Sequence, residues 1–140
     1  MGYVIRGQTV IPGEARGELL VSDEPLSFWG GYDAASGEII DRRHPLSGEC
    51  GKGRLLALPY SRGSSTTTAV LLEAIRNGTA PAGILTTGID SFFALASIVA
   101  DELYGRSLPI VALVPEDFGK LTSGAKARLH TSGVVEIKGP

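Results

Sequence analysis

Residues 55–81 read LLALPYSRGSSTTTAVLLEAIRNGTAP, and they carry the main structural signal of the chain. The stretch begins with a short, continuous apolar run, which is typical of a strand buried on both faces. A helical pattern follows, for which Ser64 or Ser65 is a suitable N-cap and Gly78 a suitable C-terminal stop. Three apolar positions share one face of that helix: Leu71, Leu72 and Ile75. The stretch therefore predicts a buried strand that passes through a polar turn into a helix.

Two further apolar runs continue this alternation of strand and helix. APAGILTT (80–87) and LPIVALV (108–114) predict buried strands, and SFFALASIVADELYG (91–105) predicts a helix between them. Asp90 or Ser91 is the expected N-cap of this helix. Its apolar spacing predicts the following buried face: Phe92, Leu95, Ala96, Val99 and Leu103. The middle of the chain is therefore βαβαβ, and right-handed crossovers in such a unit predict three parallel strands.

Short strands are expected on both sides of this unit. YVIRGQTVI (3–11) and GEARGELLVS (13–22) predict strands, and GEIID (37–41) predicts a strand that returns after a long loop. AKARLHTSGVVEIKG (125–139) alternates and turns at Ser132-Gly133, as a closing hairpin does. The predicted fold class is α/β, with a central parallel βαβαβ unit and peripheral β-strands and hairpins.

The composition limits the classes of function. With 140 residues, of which 43% are hydrophobic, the chain suits one domain, residues 1–140, with one modest core. A net charge of −2 and the lack of a basic run argue against a nucleic-acid partner. No apolar run is long enough to cross a membrane, and the first residues lack the apolar segment of a signal peptide. Cys50 is the only cysteine, so we expect a reducing cytoplasm and no metal cluster held by this chain alone.

The turn PYSRGSS (59–65) is the first candidate site. In parallel α/β sheets, ligands gather at the carboxyl ends of the strands, where helices begin. The glycine permits a tight turn, the backbone N–H groups after it face outward at the positive end of the helix dipole, and the arginine suits a carboxylate or phosphate. The residues predicted to contact substrate are Arg62, Gly63, Ser64, Ser65 and Thr66. The structural alternative is a glycine turn followed by serine caps, and neither a Walker A loop nor G-x-S-x-G matches.

The loop PLSFWGGYD (25–33) is the second candidate site. It holds the only tryptophan beside a phenylalanine and two glycines, and loops of this kind often contact ligands or partners. The residues predicted to meet a partner or substrate are Ser27, Phe28, Trp29, Gly30, Gly31, Asp33 and the nearby His44. The alternative is a loop folded back over the core, with both aromatic side chains as anchors. Isolated histidines such as His44 and His130 are more typical of packing or surface positions than of ligands or bases.

Three stretches, taken together and in order, resemble a known family. They are SDEPLSFWGGYDAASGEIIDRRHPLSGE, GRLLALPYSRGSSTTTAVLLEAIRNGTAPAGIL and ASIVADELYGRSLPIV. They resemble the swivelling domain of the aconitase X family, which occurs as a separate small subunit or as one part of a longer chain. The resemblance implies a swivelling β/β/α fold. It also implies dehydration of a hydroxy acid, either cis-3-hydroxy-L-proline or (R)-5-phosphomevalonate.

The resemblance further implies roles for particular residues and for a partner. In aconitase-like enzymes the serine after the glycine of Gly-Ser-Ser-Arg is the base, and Ser64 stands at that position here. Thr66 stands where those relatives carry the arginine that binds the substrate carboxylate, so that contact is expected from Arg62, from backbone N–H groups or from the partner chain. An iron–sulfur cluster in an aconitase X-like large subunit is expected to act as Lewis acid on the leaving hydroxyl. The segments LSFWGG and RRHPLSGE resemble bacterial members of the family, which favours the hydroxyproline.

Two other classes of function stay open at this point. Phosphocarrier swivelling domains have a similar layout, but they need a phosphate-accepting histidine after a similar strand, and SRGSSTTT contains none. A regulatory or assembly module that docks through the tryptophan loop is the non-enzymatic alternative. A purified complex without dehydratase activity would favour that module.

Overall fold

The computed structural model describes residues 2–63 and 65–139, which form ten strands and three helices. Their order is β1 (Gly2–Arg6), β2 (Gln8–Ile11), β3 (Ala15–Val21), β4 (Leu26–Ser27), β5 (Leu55–Ala57), β6 (Ser61–Arg62), α1 (Ser65–Asn77), β7 (Gly83–Thr86), α2 (Ser91–Tyr104), β8 (Ile110–Ala112), α3 (Pro115–Phe118), β9 (Lys126–Leu129) and β10 (Val134–Lys138). Eight strands form one sheet in the order β1-β10-β9-β3-β5-β7-β8-β2, and β4 and β6 form a small second sheet.

Parallel strands occupy the centre of the large sheet. β5, β7 and β8 are parallel neighbours, with α1 and α2 as the crossovers between them, which confirms the predicted βαβαβ unit. Since the strand order advances in one direction, right-handed crossovers place both helices on the same face, where they pack against each other. The structure corrects the expected number of parallel strands from three to four, because β3 also pairs in parallel with β5.

The connection between β3 and β5 is a long loop that takes the place of a crossover helix. Parallel neighbours cannot be joined by a tight turn, so this connection has to cross the sheet. Its apolar side chains are buried against α1, α2 and the sheet: Leu26, Phe28, Tyr32, Ile39 and Leu46. The hydroxyl of Tyr32 donates a hydrogen bond of 2.7 Å to the carbonyl oxygen of Thr79. Burial raises the pKa of Tyr32 well above its usual range, so this buried donor keeps its proton.

One predicted strand within this loop is wrong. Residues 37–41 form only isolated bridges, Tyr32 with Ile39 and Glu38 with Cys50, instead of a strand. The turn before them is held locally: the backbone N–H groups of Ser36 and Gly37 donate to the carbonyl oxygen of Asp33. The backbone N–H groups of Ile39 and Ile40 donate to the carbonyl oxygens of Glu49 and Gly31, so this segment bonds to two separate parts of the loop and forms no continuous ladder.

Strands from the two ends of the chain complete the sheet. The predicted hairpin is confirmed as β9 and β10, and β1 pairs with β10 on its free side. The predicted strand over residues 3–11 is split at Gly7, because β1 joins one edge of the sheet while β2 joins β8 at the other. A β carbon built on Gly7 would lie 2.4 Å from Cγ1 of Val111, so only glycine fits at this bend.

Apolar side chains on the two faces of the parallel strands enter two different cores. Leu55 and Ala57 face the antiparallel strands, whereas Leu56 and Leu58 face the helices. The parallel sheet is thus covered on both sides, as its continuous apolar runs predicted. The layers are antiparallel strands, parallel strands and helices, which confirms the β/β/α arrangement.

The buried face predicted for α2 is wrong by about one position. Leu95 and Leu103 are exposed, and the buried residues are Phe93, Ala96, Ser97 and Ala100. Apart from Phe93, the inner face carries small side chains, which let α2 lie close to α1 and the sheet. The expected cap is confirmed, since the Asp90 side chain accepts hydrogen bonds from the first turn.

Candidate active site

The two candidate segments lie side by side at one edge of the structure. β4 and β6 pair in parallel, with Leu26 opposite Ser61 and Ser27 opposite Arg62. β6 follows β5 closely along the chain, so the pair lies near the carboxyl ends of the parallel strands. The structure therefore brings the turn 59–65 and the tryptophan loop together, although sequence spacing alone did not predict their pairing.

Gly63 turns the chain between β6 and α1. Its φ angle is +111°, a conformation that side-chain-bearing residues rarely adopt. The atoms nearest to a β carbon built there are three hydroxyl oxygens, those of Ser27 and Thr67 at 3.8 Å and of Thr66 at 3.9 Å. The glycine therefore leaves an exposed backbone position surrounded by hydroxyl groups.

The beginning of α1 is exposed and lacks negative charge. Ser65 and Thr66 are exposed, and the first turn of the helix carries no acidic residue. The positive end of the helix dipole is thus not compensated by a side chain of that turn, which favours an anion nearby. Thr67, which sequence analysis did not single out, is buried and donates a hydrogen bond of 3.4 Å to the carbonyl oxygen of Arg62. Ser64 lies outside the described residues.

Arg62 is the positively charged side chain of this turn. It is exposed, and it forms no ion pair with any residue that the structure describes. An exposed guanidinium beside a helix N-terminus is suited to a bidentate contact with a carboxylate or phosphate. Its position supports the predicted contact with an anionic substrate.

Asp90 links the candidate site to the neighbouring helix. Its Oδ1 accepts hydrogen bonds from the backbone N–H groups of Phe92 (3.0 Å) and Phe93 (3.1 Å) at the beginning of α2. Its Oδ2 accepts two more from Ser61, from the backbone N–H at 2.6 Å and from the hydroxyl at 2.8 Å. The sequence predicted the cap but gave no sign of the link to Ser61, which depends on two strand ends meeting in space.

The two neighbouring aromatic residues of the tryptophan loop, Phe28 and Trp29, differ in burial. Phe28 is fully buried; its ring stacks on Tyr32 at a centroid distance of 5.1 Å and meets the edge of Phe93 at 5.5 Å. Trp29 is 70% exposed. The structure corrects the prediction for Phe28, which is a core anchor and not a contact residue, and it leaves Trp29 available to a partner or substrate.

The other predicted residues of this loop differ in what they can contact. Ser27 is half-buried near Gly63, and Gly30 is exposed in a left-handed turn. Gly31 is buried, and a β carbon there would lie 2.0 Å from the carbonyl oxygen of Ser27. Gly31 therefore has a packing role instead of the predicted contact role.

Asp33 and His44 hold the loop together. Asp33 accepts hydrogen bonds from the Ala35 backbone N–H at 3.1 Å and from the Ser36 hydroxyl at 2.8 Å. His44 is buried; its Nδ1 accepts from the Leu46 N–H at 3.1 Å, and its Nε2 lies 3.2 Å from the carbonyl oxygen of Glu24. Both residues thus have hydrogen-bond partners within the loop, and His44 is also buried, as expected of a packing histidine.

Large apolar side chains are exposed along the same edge of the structure. Tyr60 lies between β5 and β6, and Ile89 lies between β7 and α2. The side chains of these two residues are more than half exposed. Together with Trp29 they form what we call the apolar rim. The sequence singled out only the tryptophan, because exposure at strand ends has no periodic signal. Exposed apolar groups next to a polar turn are typical of a surface that another molecule covers.

A concave region with a volume of about 490 Å³ lies away from the candidate site and is lined by side chains of β3, β9 and β10, among them Arg16, Lys126 and Arg128. At the candidate site, Arg62, Gly63 and Trp29 are exposed. Across residues 2–63 and 65–139, no group of three His, Cys, Asp or Glu side chains could hold a metal ion. Over the same ranges, no helix has the length and apolar character needed to span a membrane.

A family model and a solved structure agree on the family that this chain matches. A family model described as the aconitase X swivel domain matches residues 4–137. The crystal structure of Thermococcus kodakaraensis aconitase X in its holo-form superposes with a TM-score of 0.87 at 32% identity, covering 98% of this chain and 99% of that one.

Two kinds of curated relative are similar in sequence. The cis-3-hydroxy-L-proline dehydratase of Pseudomonas aeruginosa is 53% identical over 127 residues, which cover 91% of this chain and 22% of that protein. The phosphomevalonate dehydratase small subunit of Thermococcus gammatolerans is 34% identical over 134 residues, which cover 95% of this chain and 96% of that subunit. The chain thus spans about a fifth of the length of the first relative and nearly all of the second.

Proposed function

The chain belongs to the aconitase X swivel-domain family, and on that premise we propose that it is the small subunit of a cytoplasmic hydro-lyase that dehydrates cis-3-hydroxy-L-proline. The observation that carries the proposal is the 53% identity over 91% of the chain to a cis-3-hydroxy-L-proline dehydratase. The exposed turn with Gly63, Arg62 and the free end of α1 is where this chain would meet the substrate.

A phosphomevalonate dehydratase small subunit is the second candidate function, since relatives with that name cover the chain almost fully. Phosphomevalonate carries a phosphate as well as a carboxylate, and each needs a cationic or N–H-rich site. Arg62 is the only basic residue between Pro59 and Thr68. A turn with one cation suits a substrate with one anionic group, which favours the hydroxyproline.

The remainder of the active site would come from an aconitase X-like large subunit. The described surface is open at the candidate site, and its apolar rim would lie against that subunit. The iron–sulfur cluster that the family resemblance implies does not fit the residues of this chain, since Cys50 is the single cysteine and is exposed. We therefore assign the cluster to the large subunit.

The residues of this chain would supply the proton acceptor and the charge around it. Ser64 would remove the proton from the carbon next to the substrate carboxylate. A serine alkoxide is unstable in water, so this role requires fixed positive groups and exclusion of water. Arg62 and the uncompensated N-terminus of α1 would provide positive potential, and closure of the apolar rim against the large subunit would exclude water.

The phosphocarrier alternative loses further support from the positions of the histidines. His44 is buried between Glu24 and Leu46, and His130 is paired with Glu14 and Glu136 beyond the end of β9. Neither is held next to β6 by any described contact. The assembly module remains as an outcome of the experiment below.

We expect dehydratase activity to require both subunits. The purified chain, the purified large subunit and an equimolar mixture would each be assayed with cis-3-hydroxy-L-proline, and iron would be measured in each. We expect activity only in the mixture and no stoichiometric iron in this chain alone, because its site is open and it has too few soft ligands. Iron bound to the isolated chain, or a stable complex with no activity on any hydroxy acid, would overturn the proposal, and the second result would favour an assembly module.

A further inference from the structure

We propose that Asp90 is a positioning residue for the catalytic turn. It fixes β6 to the beginning of α2 and thereby sets where the turn after Arg62 presents its groups. Asp90 touches no substrate in this proposal, and its effect passes through Ser61. The inference rests on the proposed function, because the turn matters for catalysis only if the chain is part of a dehydratase.

The carboxylate of Asp90 accepts four hydrogen bonds, two at each oxygen. An ionised carboxylate offers about four acceptor positions, and here two N–H groups of α2 occupy Oδ1 while the N–H and hydroxyl of Ser61 occupy Oδ2. The residue is buried, with 8% of its surface exposed. Hydrogen bonds to a charged acceptor are stronger than neutral ones, and at low exposure they lose little to water.

The two carboxylate oxygens of Asp90 have different roles, one in the cap of α2 and one in the link to Ser61. A cap needs a single acceptor oxygen, which Ser, Thr or Asn also supplies. The second oxygen contributes nothing to the cap, because both of its partners belong to Ser61, 29 residues away along the chain. The second oxygen therefore serves the turn and not the helix.

Three further hydrogen bonds, from two threonines, support the same connection. The Thr68 hydroxyl in α1 donates 3.0 Å to the carbonyl oxygen of Phe92 in α2. Thr87, just after β7, donates to the carbonyl oxygen of Pro59 from its backbone N–H (3.1 Å) and its hydroxyl (3.0 Å). The segment from Pro59 to Thr68 is thus attached at three points to the β7–α2 connection and the first turn of α2. Of these three attachments, the one made by Asp90 is nearest to Gly63 along the chain.

The test uses Asp90→Asn in the assembled complex. Asparagine keeps one acceptor oxygen for the cap of α2, but it places an NH₂ group against the backbone N–H of Ser61, so the backbone bond to the turn is lost while the cap is kept. We expect kcat to fall at least about 10-fold, because small displacements of catalytic groups are costly, while KM changes little. Hydrogen exchange of the backbone amides in residues 61–67 of the full chain should become several-fold faster.

Ser97→Ala is the matched control. The Ser97 hydroxyl is also buried in α2, and it also makes two hydrogen bonds, with the N–H (2.7 Å) and carbonyl oxygen (2.8 Å) of Leu108, but at the other end of the sheet. It should lower stability comparably and leave kcat and the exchange of residues 61–67 unchanged. Equal kcat values for the two variants would overturn the inference, as would unchanged exchange in Asp90→Asn.

Ser61→Ala gives a second measurement should Asp90→Asn fold poorly. It removes the hydroxyl bond and keeps the backbone bond, so we expect a smaller loss of kcat, and no loss at all would count against the inference. The hydrogen-exchange result separates this inference from the proposed function. Faster exchange of the turn in Asp90→Asn, in a wild-type complex that dehydrates nothing, would leave the attachment established and the function wrong.

Discussion

Replacing Ser64 with alanine is expected to lower kcat of the assembled complex by at least ~10²-fold, the low end for the loss of a general base. The substitution removes the proposed proton acceptor and leaves Arg62 and the N-terminus of α1 in place. Complex formation and substrate binding should therefore survive, because the loss falls on the transition state. Steady-state kinetics of the complex would measure kcat and KM, and its elution volume in size-exclusion chromatography would report complex formation. A serine that only caps a helix would instead cost on the order of 1 kcal/mol of stability and leave the rate nearly unchanged.

Ser65→Ala is the control for this prediction. Ser65 is the first residue of α1 and is exposed, so it shares the location of the turn, but the family resemblance assigns the proton to Ser64. We expect a clearly smaller loss of kcat from Ser65→Ala. Equal and small losses from both substitutions would mean that these serines only begin a helix, and the catalytic role of the turn would be wrong.

Replacing Phe28 with alanine is expected to lower the free energy of unfolding by about 3–5 kcal/mol, the usual cost of a fully buried phenylalanine. Its ring contacts Tyr32 and Phe93, so the cavity would open between the long loop and α2. Urea unfolding of the full chain would measure the loss. Phe28→Leu, with an expected loss of roughly 1–2 kcal/mol, keeps the prediction testable should the alanine variant fail to fold.

Trp29→Ala, one residue further along, should behave in the opposite way. Because the side chain is 70% exposed, its removal should change the free energy of unfolding by no more than about 0.5 kcal/mol. If the apolar rim lies against the large subunit or the substrate, the same change should weaken assembly or raise KM. A large loss of stability in Trp29→Ala with a normal complex would show that the tryptophan anchors the core.

The sequence was sufficient for the centre of the fold because buried parallel strands leave continuous apolar runs. It was less informative for α2, where Leu95 and Leu103 satisfy helical spacing as well as Phe93, Ala96 and Ala100 do. Packing against α1 and the sheet decided between these faces, and the buried one combines Phe93 with the small side chains of Ala96, Ser97 and Ala100. The missing strand at residues 37–41 has a similar cause, since this segment bonds to two separate parts of the loop and forms no continuous ladder.

The candidate site was predictable as a position in the fold and less so as a set of contacts. Gly63 and Arg62 were found because the end of a strand, a glycine and a helix cap follow each other in sequence. Asp90 and Ser61 are 29 residues apart, and Tyr60 and Ile89 belong to different connections. Only the parallel arrangement of β5 and β7 brings these residues to one edge, so a local pattern could indicate Asp90 as a cap but not its contact with Ser61.

The ratio of kcat/KM for two substrates, measured on the complex of this chain with its aconitase X-like large subunit, tests the assigned reaction. We expect cis-3-hydroxy-L-proline to be dehydrated and (R)-5-phosphomevalonate to be a poor substrate, because Arg62 is the only basic residue between Pro59 and Thr68. A higher kcat/KM for phosphomevalonate would contradict the assigned substrate, and no dehydration of either compound would contradict the assigned function.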